Sequence, residues 1–252
     1  MIFDTELSVA LNIAKKAGEL HLDLQPNLNV EHKDDSSPVT EIDKKCEHLI
    51  RKQLLETFPD DGFLGEETGN YKGNNDRKWI VDPLDGTRPF IRNIPTHSVL
   101  IALELKDEPV IGIIHLPALK ITCWAQKGHG AYLNGKKIRV SETSRLQTVM
   151  GSGLGFLEKS ESDEGKKLFS IMKTWDYAYG FMDAYSYVCV ASGKLDVCVN
   201  LLDKPWDCAA AACIVNEAGG EFSDIYGNRS IYNGSIVISN KRLHPIVLDY
   251  FK

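Results

Sequence analysis

The sequence predicts an α/β (α+β) protein built in layers, and three observations predict it. Two amphipathic helices open the chain, a run of strands joined by tight turns follows Trp79, and short strands alternate with helical segments from about Thr148 onward. The first helix spans Thr5 to about Leu24, where apolar side chains at 7, 10, 11, 14, 17 and 20 make a helical stripe. EHKDDSSPVT, rich in charge and turn formers, reads as a loop. A second helix starts near Thr40, with Thr40 as its cap, Asp43 close to a capping box, and Ile42, Cys46, Leu49, Ile50 and Leu54 on its apolar face. Phe58-Pro59 ends it. SVLIALEL and VIGIIHL flank the polar turn KDEP as a hairpin. ITCWAQ and KIRVS flank GHGAYLNG, whose Asn134-Gly135 suits a type I′ turn. TVMGSG, LDVCVN, GEFSDI and SIVIS are the strands of the second half. The cleanest division falls near 140–148, giving halves 1–145 and 146–252 that share an interface, since no flexible linker separates them.

The chain has 252 residues, 43% hydrophobic and 25% charged, enough to bury a substantial core. Its net charge of −6 argues against non-specific binding to nucleic acid or an anionic membrane. It does not exclude an anionic substrate, because metal ions can reverse a local field. The six cysteines form no CxxC pair and no zinc spacing, so buried free thiols and a reducing cytoplasm are expected. No signal peptide or membrane-spanning segment is expected.

The chemistry concentrates in WIVDPLDGTRPF, residues 79–90. Three apolar residues deliver Asp82 to a sheet edge, where the strand is expected to stop. Pro83 disfavours the helical region for Asp82, so the chain bends and can bring Asp85 to the same side. Gly86 and Thr87 then offer backbone N–H groups suited to a phosphate. Asp-Pro and Asp-Gly are also ordinary turn pairs, and alone they would be read as a turn. Two further acidic stretches change the balance. FLGEET (63–68) places Glu66 and Glu67 after an apolar stretch; their plain reading is solvated loop acids. KPWDCAAAACIVNEAGG (204–220) opens with Asp207, whose plain reading is a helix N-cap, and Gly219 and Gly220 stop its helix. If these acids share one cleft, they cannot all stay ionised without cations among them.

GEET (65–68), WIVDPLDGTRPF and WDCAAAACIVNEAGG (206–220) resemble, in order and separation, the motifs of the inositol monophosphatase-like, lithium-sensitive Mg2+ phosphatases. The resemblance spans essentially the whole chain, and SSPVTEID (36–43) matches the family's mobile-loop region. It implies a five-layered αβαβα sandwich, a homodimer, and two or three Mg2+ per active site. By position, Glu66, Asp82 and the Leu84 carbonyl would hold the first Mg2+, Asp82, Asp85 and Asp207 the second, and Glu66 with waters a weaker third. Gly86 and Thr87 would bind phosphate. Thr87 and Asp43 would orient and help deprotonate the attacking water, and Lys33 on the loop would close near the metals. Such hydrolysis rests on positioning and charge neutralisation, so no Ser, Cys or His nucleophile is required. The seven histidines read as ordinary core or surface residues.

The resemblance leaves several phosphate monoesters open. TRPFIRNIPTHSVLIAL and GFMDAYSYVCVASGKLDV (180–197) lean toward the histidinol-phosphatase subgroup. Asp183 would pair with the substrate's ammonium group, although an acid favoured by a helix N-terminus explains it equally. Inositol phosphatases usually place a Glu seven residues before the last metal Asp, to bind sugar hydroxyls; this chain has Asn200 there. An inositol monophosphatase, a 3′-phosphoadenosine nucleotide phosphatase, and an inactive binding or scaffold relative remain as alternatives.

Overall fold

The N-terminal apolar stripe forms helix α1 (Asp4–Leu24), which buries Leu7, Ala10, Ile13, Ala14, Ala17, Gly18 and His21. Leu11 and Leu20 lie at the margins of the buried face, which centres on Ile13 and Ala17. The computed structural model describes residues 3–25, 30–32, 38–180 and 182–252, with the backbone alone at 30–32 and 38–39. Strands β1 (Val30–His32) and β2 (Pro38–Thr40) pair antiparallel. Helix α2 (Glu41–Thr57) begins with the expected capping box: Thr40 is the N-cap and Asp43 the N3 residue. Its buried face holds Ile42, Asp43, Cys46, Glu47, Ile50 and Leu54.

The first sheet comprises β3 (Gly62–Gly65), β4 (Gly69–Tyr71), β5 (Arg77–Asp85), β6 (Ser98–Leu105), β7 (Glu108–Leu116), β8 (Ile121–Gln126), β9 (Gly130–Leu133) and β10 (Lys136–Ile138). Their spatial order is β10-β9-β8-β7-β6-β5-β3-β4. The expected β6–β7 hairpin is present, but Lys106 and Asp107 alone form its turn. Glu108 and Pro109 belong to β7, opposite an irregular register at Leu103 and Glu104. GAYL, read from the sequence as part of a connection, is a strand of its own: it pairs with β8 and turns at Asn134-Gly135 into β10. Its alternation was hidden among the glycines around it.

The second sheet orders β12 (Tyr177–Tyr179), β11 (Met150–Leu154), β13 (Val197–Asn200), β15 (Ile236–Asn240) and β14 (Gly220–Ser223) as β12-β11-β13-β15-β14. Between the sheets run α5 (Asp183–Ala191) and α6 (Pro205–Glu217). α4 (Asp163–Met172) and α7 (His244–Asp249) cover the far face of the second sheet, and the short α3 (Thr87–Ile91) follows β5. The expected αβαβα sandwich results: α1 and α2, first sheet, α5 and α6, second sheet, α4 and α7.

Three buried apolar clusters match the layers. One joins α1 and α2 to the first sheet through Ile13, Ile50, Trp79 and Ile101. The central one joins both sheets through α5 and α6 and includes Ile80, Leu100, Val190, Ala210, Ile214 and Ile238. The third lies beneath α4 and α7 around Leu168, Val199, Val237 and Val247. α6 is apolar all round because it is buried on both faces. All six cysteines are free and buried.

Candidate active site

Strand β5 lies between β3 and β6, so a proline within it must sit where the ladder breaks. It does: β5 and β6 pair at Asp82 opposite Leu100 and again at Asp85 opposite Ser98, with an irregularity between them. The strand therefore does not stop at Asp82, as the sequence suggested. It runs through a bulge to Asp85, and bulges re-aim side chains. Gly86 then adopts φ of 76°, a left-handed conformation that a glycine takes without strain, and caps α3.

The acids from the separate motifs converge here. Asp82, Asp85 and Asp207 all have carboxyl groups held above the usual range, by burial first and then by neighbouring acids: Glu66, Asp85 and Asp207 act on Asp82, Asp183 and then Asp207 on Asp85, and Glu66 on Asp207. Glu66 adds its charge to Asp82 and Asp207, and Asp207 is pushed to about 7. Asp82 and Asp207 each take a backbone N–H: Asp82 Oδ1 accepts from Leu84 at 2.9 Å, and Asp207 Oδ2 accepts from Lys204 at 2.7 Å. Asp85 Oδ2 accepts from Ser98 Oγ at 2.9 Å and from the Ala184 N–H at 3.1 Å. With carboxylates held this way, no three acid, histidine or cysteine side chains among the described residues form a ready-made metal cage. The donor set itself fits a divalent cation. Oxygen donors suit hard cations, and cations would relieve the repulsion that adds to burial in raising these carboxyl pKa values.

Asp207 is not the N-cap that its plain reading made it. Lys204 is the N-cap, Pro205 opens α6, and Asp207 reaches back as the N3 residue. Asp43 lies beside this cluster. Its Oδ2 accepts from the Thr40 N–H at 2.7 Å and Thr40 Oγ1 at 2.6 Å. Thr87 Oγ1 lies 3.3 Å from Asp43 Oδ1 and 3.2 Å from the Leu84 carbonyl, so its single proton is shared between them. Burial raises the Asp43 carboxyl above its ordinary pKa. The Asp183 carboxylate faces Gly86, with Oδ2 3.2 Å from where a Cβ on that glycine would lie. That oxygen is buried without a hydrogen-bond partner among the described residues. The Asn200 amide is turned inward: Nδ2 donates to Asp203 and to Tyr187 Oη, and Oδ1 accepts from the Leu202 N–H. Lys33 lies outside the described residues.

Several supports of the site become visible only in the fold. Glu47, fully buried on α2, accepts from the backbone N–H groups of Glu67 at 2.8 Å and Thr68 at 2.6 Å and so fixes the turn carrying Glu66. A buried acid one turn after Asp43 was its only signal. Gly65 lets that carboxylate approach, since a Cβ there would sit 2.5 Å from it. Gly65→Ala should therefore destabilise by about 1–3 kcal/mol, read from the urea midpoint. A variant as stable as the parent would refute this crowding.

His21 and His97 brace the bulge from behind. His21 Nε2 donates to the Pro83 carbonyl at 2.9 Å, which leaves its Nδ1 to accept from His97 Nδ1 at 3.3 Å. Burial lowers these rings to about 3 and about 4, respectively, so both are neutral in the fold. The unfolded chain binds protons near pH 6.5, so their stabilising contribution is complete above that pH and lost as the pH falls toward 4. The buried carboxyls, with raised pKa values, act in the opposite sense. The expected result is thus a difference: between pH 6.5 and 5, His97→Asn should lose up to about 1.4 kcal/mol per pH unit less than the parent in urea unfolding. Parallel pH dependences would refute it.

A sequence profile described as the inositol monophosphatase family matches residues 4–252. A histidinol-phosphatase of Chlorobaculum parvum is 40% identical over 93% of this chain and 91% of its own length. Inositol monophosphatase 2 of Solanum lycopersicum is 37% identical over 88% of each chain. Among solved structures, the extragenic suppressor protein suhB from Bartonella henselae superposes with a TM-score of 0.92, at 30% identity and 99% coverage of both chains. The acids gathered at the bulge, the fold around them and these relatives agree: the chain belongs to the inositol monophosphatase family and is a metal-dependent phosphoric monoester hydrolase.

Proposed function

We propose that the chain is a Mg2+-dependent phosphatase that hydrolyses histidinol phosphate to histidinol and phosphate, acting as a cytoplasmic homodimer. The observation that carries the substrate is the buried Asp183 oxygen beside Gly86, which has no hydrogen-bond partner among the described residues. A buried carboxylate oxygen lacking a donor is costly, and a substrate ammonium group would supply one. Relatives named histidinol-phosphatase, from Chlorobaculum parvum and from Streptomyces coelicolor at 36% identity, support the same reading.

In this reading Glu66, Asp82 and the Leu84 carbonyl would hold one Mg2+, Asp82, Asp85 and Asp207 a second, and Glu66 would contribute to a third. Bound Mg2+ supplies charge neutralisation and lowers the pKa of water. The Gly86 and Thr87 N–H groups hold the phosphate. Thr87 Oγ1 gives its proton toward Asp43 Oδ1 and turns a lone pair to the attacking water, and the raised pKa of Asp43 makes it a better proton acceptor near neutral pH.

The test is phosphate release with Mg2+. Histidinol phosphate should be turned over at least about tenfold faster, by kcat/KM, than inositol 1-phosphate or 3′-phosphoadenosine 5′-phosphate. A preference for inositol 1-phosphate would move the assignment to inositol monophosphatase, the reading favoured by the tomato relative. No turnover of any ester would point to a binding or scaffold role.

A further inference from the structure

At position 200 this chain carries an amide, Asn200, turned inward from β13. Its structure puts a carboxylate three residues later, facing inward. Asp203 is 2% exposed, and its Oδ2 accepts from Tyr187 Oη at 2.6 Å. Its Oδ1 accepts from Asn200 Nδ2, which also donates to Tyr187 Oη at 3.2 Å. The Leu202 N–H closes on Asn200 Oδ1 at 3.1 Å. Every side-chain polar group of this triad is satisfied within it or by adjacent backbone, as a buried polar network requires.

Two links run from the triad to the acid cluster. Asp203 immediately precedes Lys204, and the peptide plane joining them carries the N–H that Asp207 accepts. Anchoring the Asp203 side chain fixes that plane and hence where Asp207 points. Tyr187 lies one helical turn after Ala184, whose N–H is accepted by Asp85. Holding Tyr187 therefore fixes the start of α5 against Asp85. The triad spans β13, the loop before α6, and α5, and so sets the placement of Asp85 relative to Asp207.

We propose that Asp203 is a positioning residue: with Tyr187 and Asn200 it holds Asp85 and Asp207 at the separation that a shared divalent cation needs. The inference rests on the reading that these two acids bind the cation. Outer partners of metal ligands carry about 10–100-fold of metal affinity.

The experiment uses the full chain and three variants: Tyr187→Phe, Asp203→Asn, and the exchange Asn200→Asp with Asp203→Asn. Mn2+ binding is measured by calorimetry, and Mg2+ activation by phosphate release. Asp203→Asn should bind Mn2+ at least about tenfold more weakly and need correspondingly more Mg2+ for half-maximal rate. Tyr187→Phe should shift both in the same direction by a smaller factor, with turnover recovered at saturating Mg2+. The exchange, which restores an amide–carboxylate pair, should regain part of the lost affinity. A purely structural role would lower the melting temperature without moving the affinity of the folded protein. Binding within threefold of the parent in folded Asp203→Asn and in Tyr187→Phe would overturn the proposal. If Asp203→Asn fails to fold, Tyr187→Phe decides alone, because it loses one hydroxyl. A parent protein that binds no Mn2+ would overturn the underlying cation reading and the brace with it, an outcome distinct from normal binding in parent and variants alike.

Discussion

Asp82→Asn should reduce phosphate release by on the order of a thousandfold, about 4 kcal/mol of transition-state stabilisation, while making the metal-free protein more stable. The two effects have one cause. Asp82 is buried and faces the charges of Glu66, Asp85 and Asp207. Without cations these carboxyls oppose one another, and the folded pKa of Asp82 lies well above its unfolded value. A group of that kind works against folding once the pH exceeds its unfolded pKa, so a neutral isostere removes the penalty at neutral pH. The asparagine oxygen can still accept the Leu84 N–H, so the bulge keeps its bond. A gain of about 1–3 kcal/mol follows, or about 2–4 °C in Tm per kcal/mol for a chain of this size. Mg2+ should then raise the Tm of the parent by mass action and leave the variant nearly unmoved. Calorimetric melts with and without Mg2+, beside initial rates, decide it. An active variant, or one whose metal-free Tm falls, would remove Asp82 from the place assigned to it.

This opposition between stability and function explains which parts of the protein could be read in advance. The core announces itself through periodicity: Ile13, Ile50 and Ile101 are buried because burial is what the 3.6-residue and two-residue patterns encode. The acids were legible for the opposite reason. Asp82, Asp85 and Asp207 break apolar stretches where a carboxylate has no packing purpose. Residues whose role depends on a partner distant in sequence carry no such mark. Glu47 sits on a helical face like any interior position, and only the fold brings the Glu67 and Thr68 N–H groups to it. His21 and His97 are 76 residues apart and share no motif, yet their rings support the Pro83 carbonyl. Asp203 resembles a loop acid, four residues before a better one. Asn200 was noticed as a departure from a pattern, but the direction of its amide depends on Tyr187 and Asp203, which the sequence does not place beside it.

Asp43→Asn isolates the chemical step from the architecture around it. Asp43 has two structural duties and one chemical one, divided between its oxygens. Oδ2 receives both Thr40 donors and closes the cap of α2, while Oδ1 faces Thr87 Oγ1. In the variant, the two Thr40 donors require the remaining oxygen, so the NH2 group must turn toward Thr87. The cap survives, and stability should stay within about 1 kcal/mol of the parent. The hydrogen bond to Thr87 reverses: the amide donates to Thr87 Oγ1, and the threonine proton is left to the Leu84 carbonyl, already 3.2 Å away. The lone pair that would accept a proton from the attacking water is then occupied, and no carboxylate stands behind it. Loss of such a base costs about 10²–10⁴ in rate. The expected signature is that loss confined to kcat, with KM and the Mg2+ requirement within about threefold of the parent, because Asp43 holds neither ester nor cation in this scheme. A rate loss matched by a fall in Tm would show that the cap alone mattered. A shift confined to the Mg2+ requirement would make Asp43 a cation ligand. An unchanged kcat would mean that the water loses its proton elsewhere.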